Sequence, residues 1–185
     1  MSDIPTSLRD LRNNLPAGVK IVAVSKTRSV SEVLTAYEAG QRIFGENRVQ
    51  EILAKKDQLP ADISWHLIGH LQTNKVRQII SHVSLIHSVD SPKLLQVIDS
   101  EAAKAGIVVN CLLQIHIARE ESKTGFSIDE VLFMLAADWF RNLRNTRVTG
   151  LMGMATFTDD KEVIRNEFAG LKKYFDGYQG KILRN

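Results

Sequence analysis

The sequence predicts an α/β fold built on a parallel β-sheet. Six apolar runs alternate with helical patterns, and the first five runs begin near residues 20, 42, 64, 85 and 108. A spacing of about 21 to 23 residues suits a strand followed by a helix that crosses back to the next parallel strand. No linker or low-complexity tract interrupts the 185 residues, so we expect a single domain. Six such units fit an open doubly wound sheet or three quarters of an eight-stranded barrel, and the spacing alone leaves both open.

The individual elements follow from local patterns. Residues 19–27 are rich in valine and isoleucine without polar alternation, which is typical of a strand buried on both faces. The other predicted strands are 42–44, 64–68, 83–89, 108–117 and 147–152. Helical spacing of apolar residues predicts helices over 6–14, 29–40, 49–59, 76–80, 91–106, from 127 onward, and 161–174. Capping-box patterns begin two of these helices, at Ser29 and Ser127, and glycines end the helices 29–40 and 91–106, at Gly40 and Gly106.

Composition narrows the class of protein. Charged residues make up 24% and hydrophobic residues 44%, as in globular proteins. The net charge is only +3 and the basic residues are scattered, so we expect no nucleic-acid partner. The single cysteine, Cys111, lies in an apolar run and has no second thiol to pair with. The first residues do not form a signal peptide and no apolar run reaches membrane-spanning length, so we expect a cytoplasmic protein without a membrane partner.

Polar residues follow every predicted strand, at the edge where either fold binds its ligand. These strand ends carry Lys26, Gly45–Asn47, His66 with His70 and Gln72, His87–Ser88, His116 with Lys123, and Met152–Gly153. A lysine that leaves an apolar strand can be partly removed from water, which makes its neutral amine available for Schiff-base chemistry. The alternative is that Lys26 only marks the point where the strand meets solvent.

Several other functional classes find no support. His66 and His70 are four residues apart, but they span a strand end without a nearby acidic ligand, so we expect no metal site. His66 fits a hydrogen-bonded core histidine as well as a ligand contact, and Glu46 fits a general base or a structural ion pair. The glycine patterns of nucleotide-binding loops and of the serine-hydrolase elbow are absent from the sequence.

Three blocks, at 23–27, 44–51 and 65–75, together resemble the pyridoxal-phosphate homeostasis proteins. The blocks at 88–91, 122–125 and 150–152 continue the match in the same order. The resemblance implies a TIM-type barrel of the alanine racemase N-terminal type, which holds pyridoxal 5′-phosphate (PLP) at its carboxyl face. It also implies that PLP forms a Schiff base on Lys26 and that Asn47 lies near the hydroxyl of the cofactor ring. His70 and Met152 fall at strand tips that surround the cofactor.

The same resemblance implies a protein of intracellular PLP homeostasis. Such a protein buffers PLP and delivers it to PLP-dependent apoenzymes without robust catalytic activity, and we expect it to be a monomer. The alternative is a PLP-dependent amino-acid racemase or a related PLP enzyme. Racemisation needs an acid/base group on each face of the substrate carbon, which a single domain is poorly equipped to supply. A Schiff-base aldolase without PLP is a third possibility, and a purely structural role would leave the polar strand tips unexplained.

The sequence departs from the family in three places. Arg48 stands where the family commonly has tyrosine, and His116 where it often has asparagine. The family's blocks for strands seven and eight, which supply most of the phosphate cup, do not occur in the 185 residues. We therefore expect residues 1–185 to form a single PLP-binding barrel domain that is C-terminally incomplete. With only about six of eight strand–helix units, strands one and six would be unpaired edges.

Overall fold

The computed structural model describes residues 3–120 and 124–183, and its six strands form one fully parallel sheet. The strands are β1 (Ala23–Val24), β2 (Ile43–Glu46), β3 (Ser64–Leu67), β4 (Leu85–Val89), β5 (Val109–Ile115) and β6 (Thr146–Gly153). Their spatial order is the order of the chain. A doubly wound sheet reverses its strand order at a switch point, whereas a barrel adds each strand to the same side of the last. The sheet is therefore a partial TIM barrel, as predicted.

Helices follow the strands in the expected alternation. They are α1 (Ile4–Asn14), α2 (Val30–Glu38), α3 (Val49–Lys55), α4 (Val76–Ile79), α5 (Pro92–Ala105), α6 (Ile128–Ala136), α7 (Asp138–Arg141) and α8 (Lys161–Ile182). Both predicted capping boxes form, with Ser29 and Glu32 bonded reciprocally at α2 and Ser127 and Glu130 at α6. Gly106 ends α5 in the left-handed conformation, at φ +67°.

One face of the sheet packs against the helices and forms the core. Leu67, Ile86 and Leu113 from this face are fully buried, together with Ile52 of α3 and Ile98 of α5. The opposite face is more open, and along β5 and β6 buried residues alternate with half-buried or exposed ones. Right-handed crossovers place all connecting helices on the same side of a sheet wound in one direction, which explains this asymmetry.

The first strand differs from its prediction. β1 contains only two residues, and Val19 and Val24 are 53% and 51% exposed. The prediction of a strand buried on both faces is wrong, because among the described strands β1 has a single neighbour, β2. β1 and β6 are the two edges of the sheet. The resemblance to the family predicted this, because the sequence contains strand blocks one to six of the family's eight.

The C-terminal region also differs. α8 continues to Ile182 instead of ending at residue 174, and Ile182 is buried in the core. The short helix α7 was not predicted. None of the helices in the described ranges is both long enough and apolar enough to cross a bilayer.

Candidate functional site

The carboxyl ends of the first four strands are tied together by short contacts. The Ser25 N–H donates to the Gly45 carbonyl at 2.9 Å, and the Ile68 N–H donates to the Glu46 carbonyl at 2.9 Å. The Ser88 hydroxyl donates to the Gly69 carbonyl at 2.5 Å. These bonds continue the parallel pairing beyond the strands themselves, so the loops that carry the predicted site residues begin from a fixed frame.

Asn47 lies directly after β2, against the tip of β3. A Cβ atom placed on Gly69 would lie 2.4 Å from the Asn47 carbonyl oxygen and 2.7 Å from its Cα. Only glycine permits this approach, because the clashing atoms belong to the backbone and have no side-chain freedom. The glycine therefore brings the β2 and β3 tips together at Asn47, whose side chain is half-buried.

Lys26 lies two residues beyond β1 and is exposed. Within the described ranges it forms no hydrogen bond and no ion pair. The partial desolvation expected at the end of a buried strand is not found, because β1 is an edge strand with an exposed face. The next residue, Thr27, has φ +64°, and its N–H donates to Glu51 Oε2 at 2.8 Å. The backbone on the far side of Lys26 is thus held in a conformation that few non-glycine residues adopt.

Behind Lys26 lies a buried network of charged groups. Glu46 is fully buried, and its Oε1 accepts from the Ser25 hydroxyl at 2.8 Å and from Lys55 Nζ at 2.7 Å. Lys55 Nζ also donates to the Ser25 carbonyl at 2.9 Å and lies 3.5 Å from Glu51 Oε2. Burial raises the pKa of Glu46, an effect that Lys55 and Ser25 oppose, whereas the Thr27 N–H lowers the pKa of Glu51.

This geometry favours the structural ion pair over the general base for Glu46. Its Oε1 is occupied twice, and its Oε2 is buried without a partner, so neither oxygen faces a reacting group. Lys55 is a buried residue of this network that sequence reasoning missed. The available signal was the spacing of Glu51 and Lys55, four residues apart on one helix, which predicts a pair but not its burial.

His70 and Met152 occupy different parts of the same sheet end. The exposed His70 follows β3, and its Nδ1 lies 3.0 Å from Asp90 Oδ2 after β4. Met152 is half-buried near the end of β6, at the opposite edge of the sheet from β1. Lys26, Asn47 and His70 therefore follow three neighbouring strands, while Met152 shares their end of the sheet but not their neighbourhood.

Two histidines, on β3 and β4, contact each other. His66 Nδ1 and His87 Nε2 are 2.9 Å apart, and His66 is buried. Burial, with smaller contributions from His87 and Lys20, lowers the pKa of His66 to about 4. The interpretation of His66 as a hydrogen-bonded core histidine is supported. In the described ranges, no three His, Cys, Asp or Glu side chains form a possible metal site. His116 Nε2 lies 3.0 Å from the Glu120 carbonyl, whereas Lys123 falls outside the described residues.

Comparison with known proteins gives the same architecture. Residues 2–184 match the family model described as the alanine racemase N-terminal domain. The pyridoxal phosphate homeostasis protein of Helicobacter pylori is 39% identical over 160 residues, which cover 85% of this chain and 72% of that protein. Alanine racemase from Streptomyces coelicolor is 19% identical with a TM-score of 0.81, a likeness of fold alone.

The structure of PipY from Synechococcus elongatus is also similar. Its form without PLP superposes with a TM-score of 0.91 and its PLP-bound form with 0.88, both at 34% identity. Each alignment covers 97% of this chain and 83% of PipY. The chain therefore belongs to the alanine racemase N-terminal domain family, and within it to the pyridoxal phosphate homeostasis proteins.

Proposed function

We propose that this protein binds PLP at the carboxyl end of its sheet, as a Schiff base on Lys26, and serves to buffer and deliver the cofactor. The observation that carries the proposal is the exposed amine of Lys26, which lies beside the β2 tip and has no partner among the described residues. It occurs in a chain that superposes on PLP-bound PipY along 97% of its length.

The residues around Lys26 fit an aldehyde cofactor. PLP supplies a reactive aldehyde carbon when bound. The neutral Lys26 amine would form the C=N bond to that carbon with release of water, so the amine must be free of competing carboxylates. Glu46 and Glu51 are the acids of the adjoining network, and both are engaged by Lys55, Ser25 or Thr27.

The neighbouring tips offer the polar groups that would orient the cofactor. Asn47 carries a side-chain amide on a backbone that is fixed by the close approach of Gly69. His70 is held through Nδ1 by Asp90, which leaves Nε2 for a second partner. We assign Met152 a place at the far side of the same site, on β6, and no role in proton transfer.

The acid/base groups at this end of the sheet also favour buffering and delivery over racemisation. Efficient racemisation requires an acid/base group on each side of the substrate carbon. At this end of the sheet the buried Glu46 is engaged by Lys55 and Ser25, so it is not available as one of these two groups. We propose that residues 1–185 act as one cofactor-binding unit, a monomer in the cytoplasm, which transfers PLP to PLP-dependent apoenzymes.

The first experiment is a PLP titration followed by its visible absorption spectrum, with wild type, Lys26→Ala and Lys20→Ala. Lys20 is an exposed lysine at the other end of the same apolar run and serves as the matched control. We expect the Schiff-base band in wild type and Lys20→Ala and its loss in Lys26→Ala, with unchanged far-UV circular dichroism. Borohydride reduction and mass mapping should place the added pyridoxyl group on Lys26, and a modified lysine elsewhere would refute the assignment.

The second experiment tests delivery. PLP-loaded protein is mixed with an aminotransferase apoenzyme, and recovery of aminotransferase activity is compared with that given by an equal concentration of free PLP. Sustained racemisation of alanine by the loaded protein would favour the enzyme alternative. Binding without transfer to any apoenzyme would reject delivery while leaving the buffering function.

A further inference from the structure

The backbone around Lys26 forms a tight turn with an unusual residue at its third position. The Arg28 N–H donates to the Ser25 carbonyl at 3.0 Å and closes a four-residue turn, with Lys26 and Thr27 at its corner. Thr27 has φ +64°, and among the described residues it is the only one besides glycines with a positive φ. A positive φ at the third position alone is the mark of a type II turn, which favours glycine or asparagine there. The β-branched threonine therefore holds this conformation under strain.

The intrinsic preference of Thr27 opposes the turn. The left-handed region disfavours an ordinary residue by about fivefold to thirtyfold in an equilibrium constant, because its Cβ crowds the following carbonyl oxygen. Glycine, which has no Cβ, visits positive φ about as readily as negative φ. A threonine at this position therefore needs an outside contact to hold the turn, whereas a glycine would not.

Glu51 of α3 supplies that contact. Its Oε2 accepts the Thr27 N–H at 2.8 Å, from 24 residues further along the chain. The same hydrogen bond is the main cause of the lowered pKa of Glu51. A hydrogen bond to a charged acceptor contributes about tenfold to a hundredfold, which is enough to offset the strain at Thr27. Lys55 Nζ lies 3.5 Å from the same oxygen of Glu51 and steadies the carboxylate.

The first residue of the turn is fixed by other groups. Ser25 is buried, its hydroxyl donates to Glu46, and its carbonyl accepts from Lys55 Nζ at 2.9 Å. If the bond to Glu51 were lost, Ser25 would stay in place while Thr27 relaxed to a negative φ. The direction of the chain at Lys26 would then change, because Lys26 lies between the fixed residue and the relaxed one.

We propose that Glu51 is a positioning residue for Lys26, acting through the strained turn at Thr27. Glu51 does not contact the cofactor. It holds Lys26 at the corner of the turn, in the position from which the amine reacts. This inference rests on the proposed function, in which Lys26 binds PLP. Since the third residue of the turn is threonine, the fraction of molecules with the turn in place is set by Glu51, and the apparent affinity for PLP scales with that fraction.

The experiment measures the apparent Kd for PLP from the Schiff-base band of wild type, Glu51→Ala, Thr27→Gly and the double variant. In Glu51→Ala the strain leaves the turn in a minority of molecules, so Kd should rise about fivefold to thirtyfold. Thr27→Gly alone should stay within about twofold of wild type. In the Thr27→Gly background, loss of Glu51 should raise Kd only about twofold, because glycine adopts a positive φ about half of the time.

Two further measurements separate positioning from general loss of structure. Asp99 on α5 also accepts a backbone N–H, from Asn145 at 2.8 Å, just before the amino end of β6. Asp99→Ala is therefore the matched control and should leave Kd within about twofold of wild type. The sign of the Thr27 φ is read by NMR from three-bond couplings in the protein without PLP. It should be positive in wild type and lost in Glu51→Ala, with unchanged far-UV circular dichroism in both.

Three results would overturn this inference while leaving PLP binding by Lys26 intact. They are a wild-type Kd in Glu51→Ala, an equal loss of affinity from Glu51→Ala with and without Thr27→Gly, and a positive Thr27 φ that persists in Glu51→Ala. A wild type that forms no Schiff base on Lys26 would overturn the proposed function and this inference with it. If Glu51→Ala folds poorly, Glu51→Gln, which keeps a weaker acceptor, should show a smaller loss that Thr27→Gly again suppresses.

Discussion

Replacing Lys55 with methionine should destabilise the protein more than any surface substitution of a lysine. The change removes the only cation that contacts the fully buried Glu46 in the described ranges, along with the hydrogen bond to the Ser25 carbonyl. Removing one partner of a buried ion pair costs about 3 to 5 kcal/mol, because the other charge is left unpaired. Typical domains unfold at about 5 to 15 kcal/mol, so the loss would be a large share of the total.

The assay is urea unfolding followed by tryptophan fluorescence at pH 8 and pH 5. In Lys55→Met the pKa of Glu46 rises further, so the folded protein holds a proton that the unfolded chain releases above about pH 4.5. The loss of stability should therefore be larger at pH 8 than at pH 5.

Two further variants complete this experiment. Glu46→Gln combined with Lys55→Met should recover at least half of the loss at pH 8, because the amide carries no charge and still accepts from Ser25. Lys172→Met, which breaks an exposed pair with Asp176, is the matched control and should change stability by less than about 0.5 kcal/mol. A Lys55→Met protein as stable as wild type, or a double variant no more stable than the single one, would refute the buried-pair argument.

Two other perturbations test residues that support the candidate site, His66 and Gly69. Acidification should destabilise the protein through His66, whose folded pKa of about 4 lies below its ordinary 6.5, so the unfolded chain binds the proton first and stability falls as pH drops through this window. Between pH 7 and pH 5 the free energy of unfolding, measured with urea, should fall by about 2 kcal/mol. His66→Gln should reduce this fall, whereas His82→Gln, at an exposed histidine, should not. An unchanged pH dependence of stability in His66→Gln would contradict the lowered pKa of His66. Gly69→Ala should lower stability by about 1 to 3 kcal/mol and weaken PLP binding, because its Cβ would meet the Asn47 backbone. The control Gly177→Ala, with open space on an exposed helix face, should raise stability by about 0.5 to 1 kcal/mol, and equal effects of the two changes would argue against the close contact.

Local patterns in the sequence were sufficient for most of the fold. The starts of α2 and α6 were predicted correctly from Ser29 and Ser127, because a capping box depends only on residues three positions apart. The end of α8 was misjudged because glycine costs a helix only about 1 kcal/mol, and packing of Ile182 into the core outweighs that cost. Burial of β1 was misjudged because it depends on which strands lie beside it, and no local pattern reports an absent neighbour.

The site was predicted less completely, for a related reason. The positions of Lys26 and Asn47 directly beyond parallel strands could be predicted, because the carboxyl end of a strand is a position along the chain. Lys55 could not, because its principal partner Glu46 lies on another element, nine residues away, and α3 reads as an ordinary amphipathic helix.

If Lys26 binds PLP as proposed, the network behind it would keep this exposed lysine well placed as a nucleophile. Ser25 is held through its hydroxyl by Glu46 and through its carbonyl by Lys55, and Thr27 is held through its N–H by Glu51. Both residues that flank Lys26 are therefore fixed, while its own side chain is left without a partner among the described residues. Without Lys55, two carboxylates near the strand tip would lose their cation, and Lys26 lies between the two residues, Ser25 and Thr27, that contact them. An ion pair there would hold the amine protonated and unable to form a C=N bond. In the proposed function, the buried Lys55 would therefore keep the Lys26 amine available, so the reactivity of Lys26 would depend on charged groups that do not contact the cofactor.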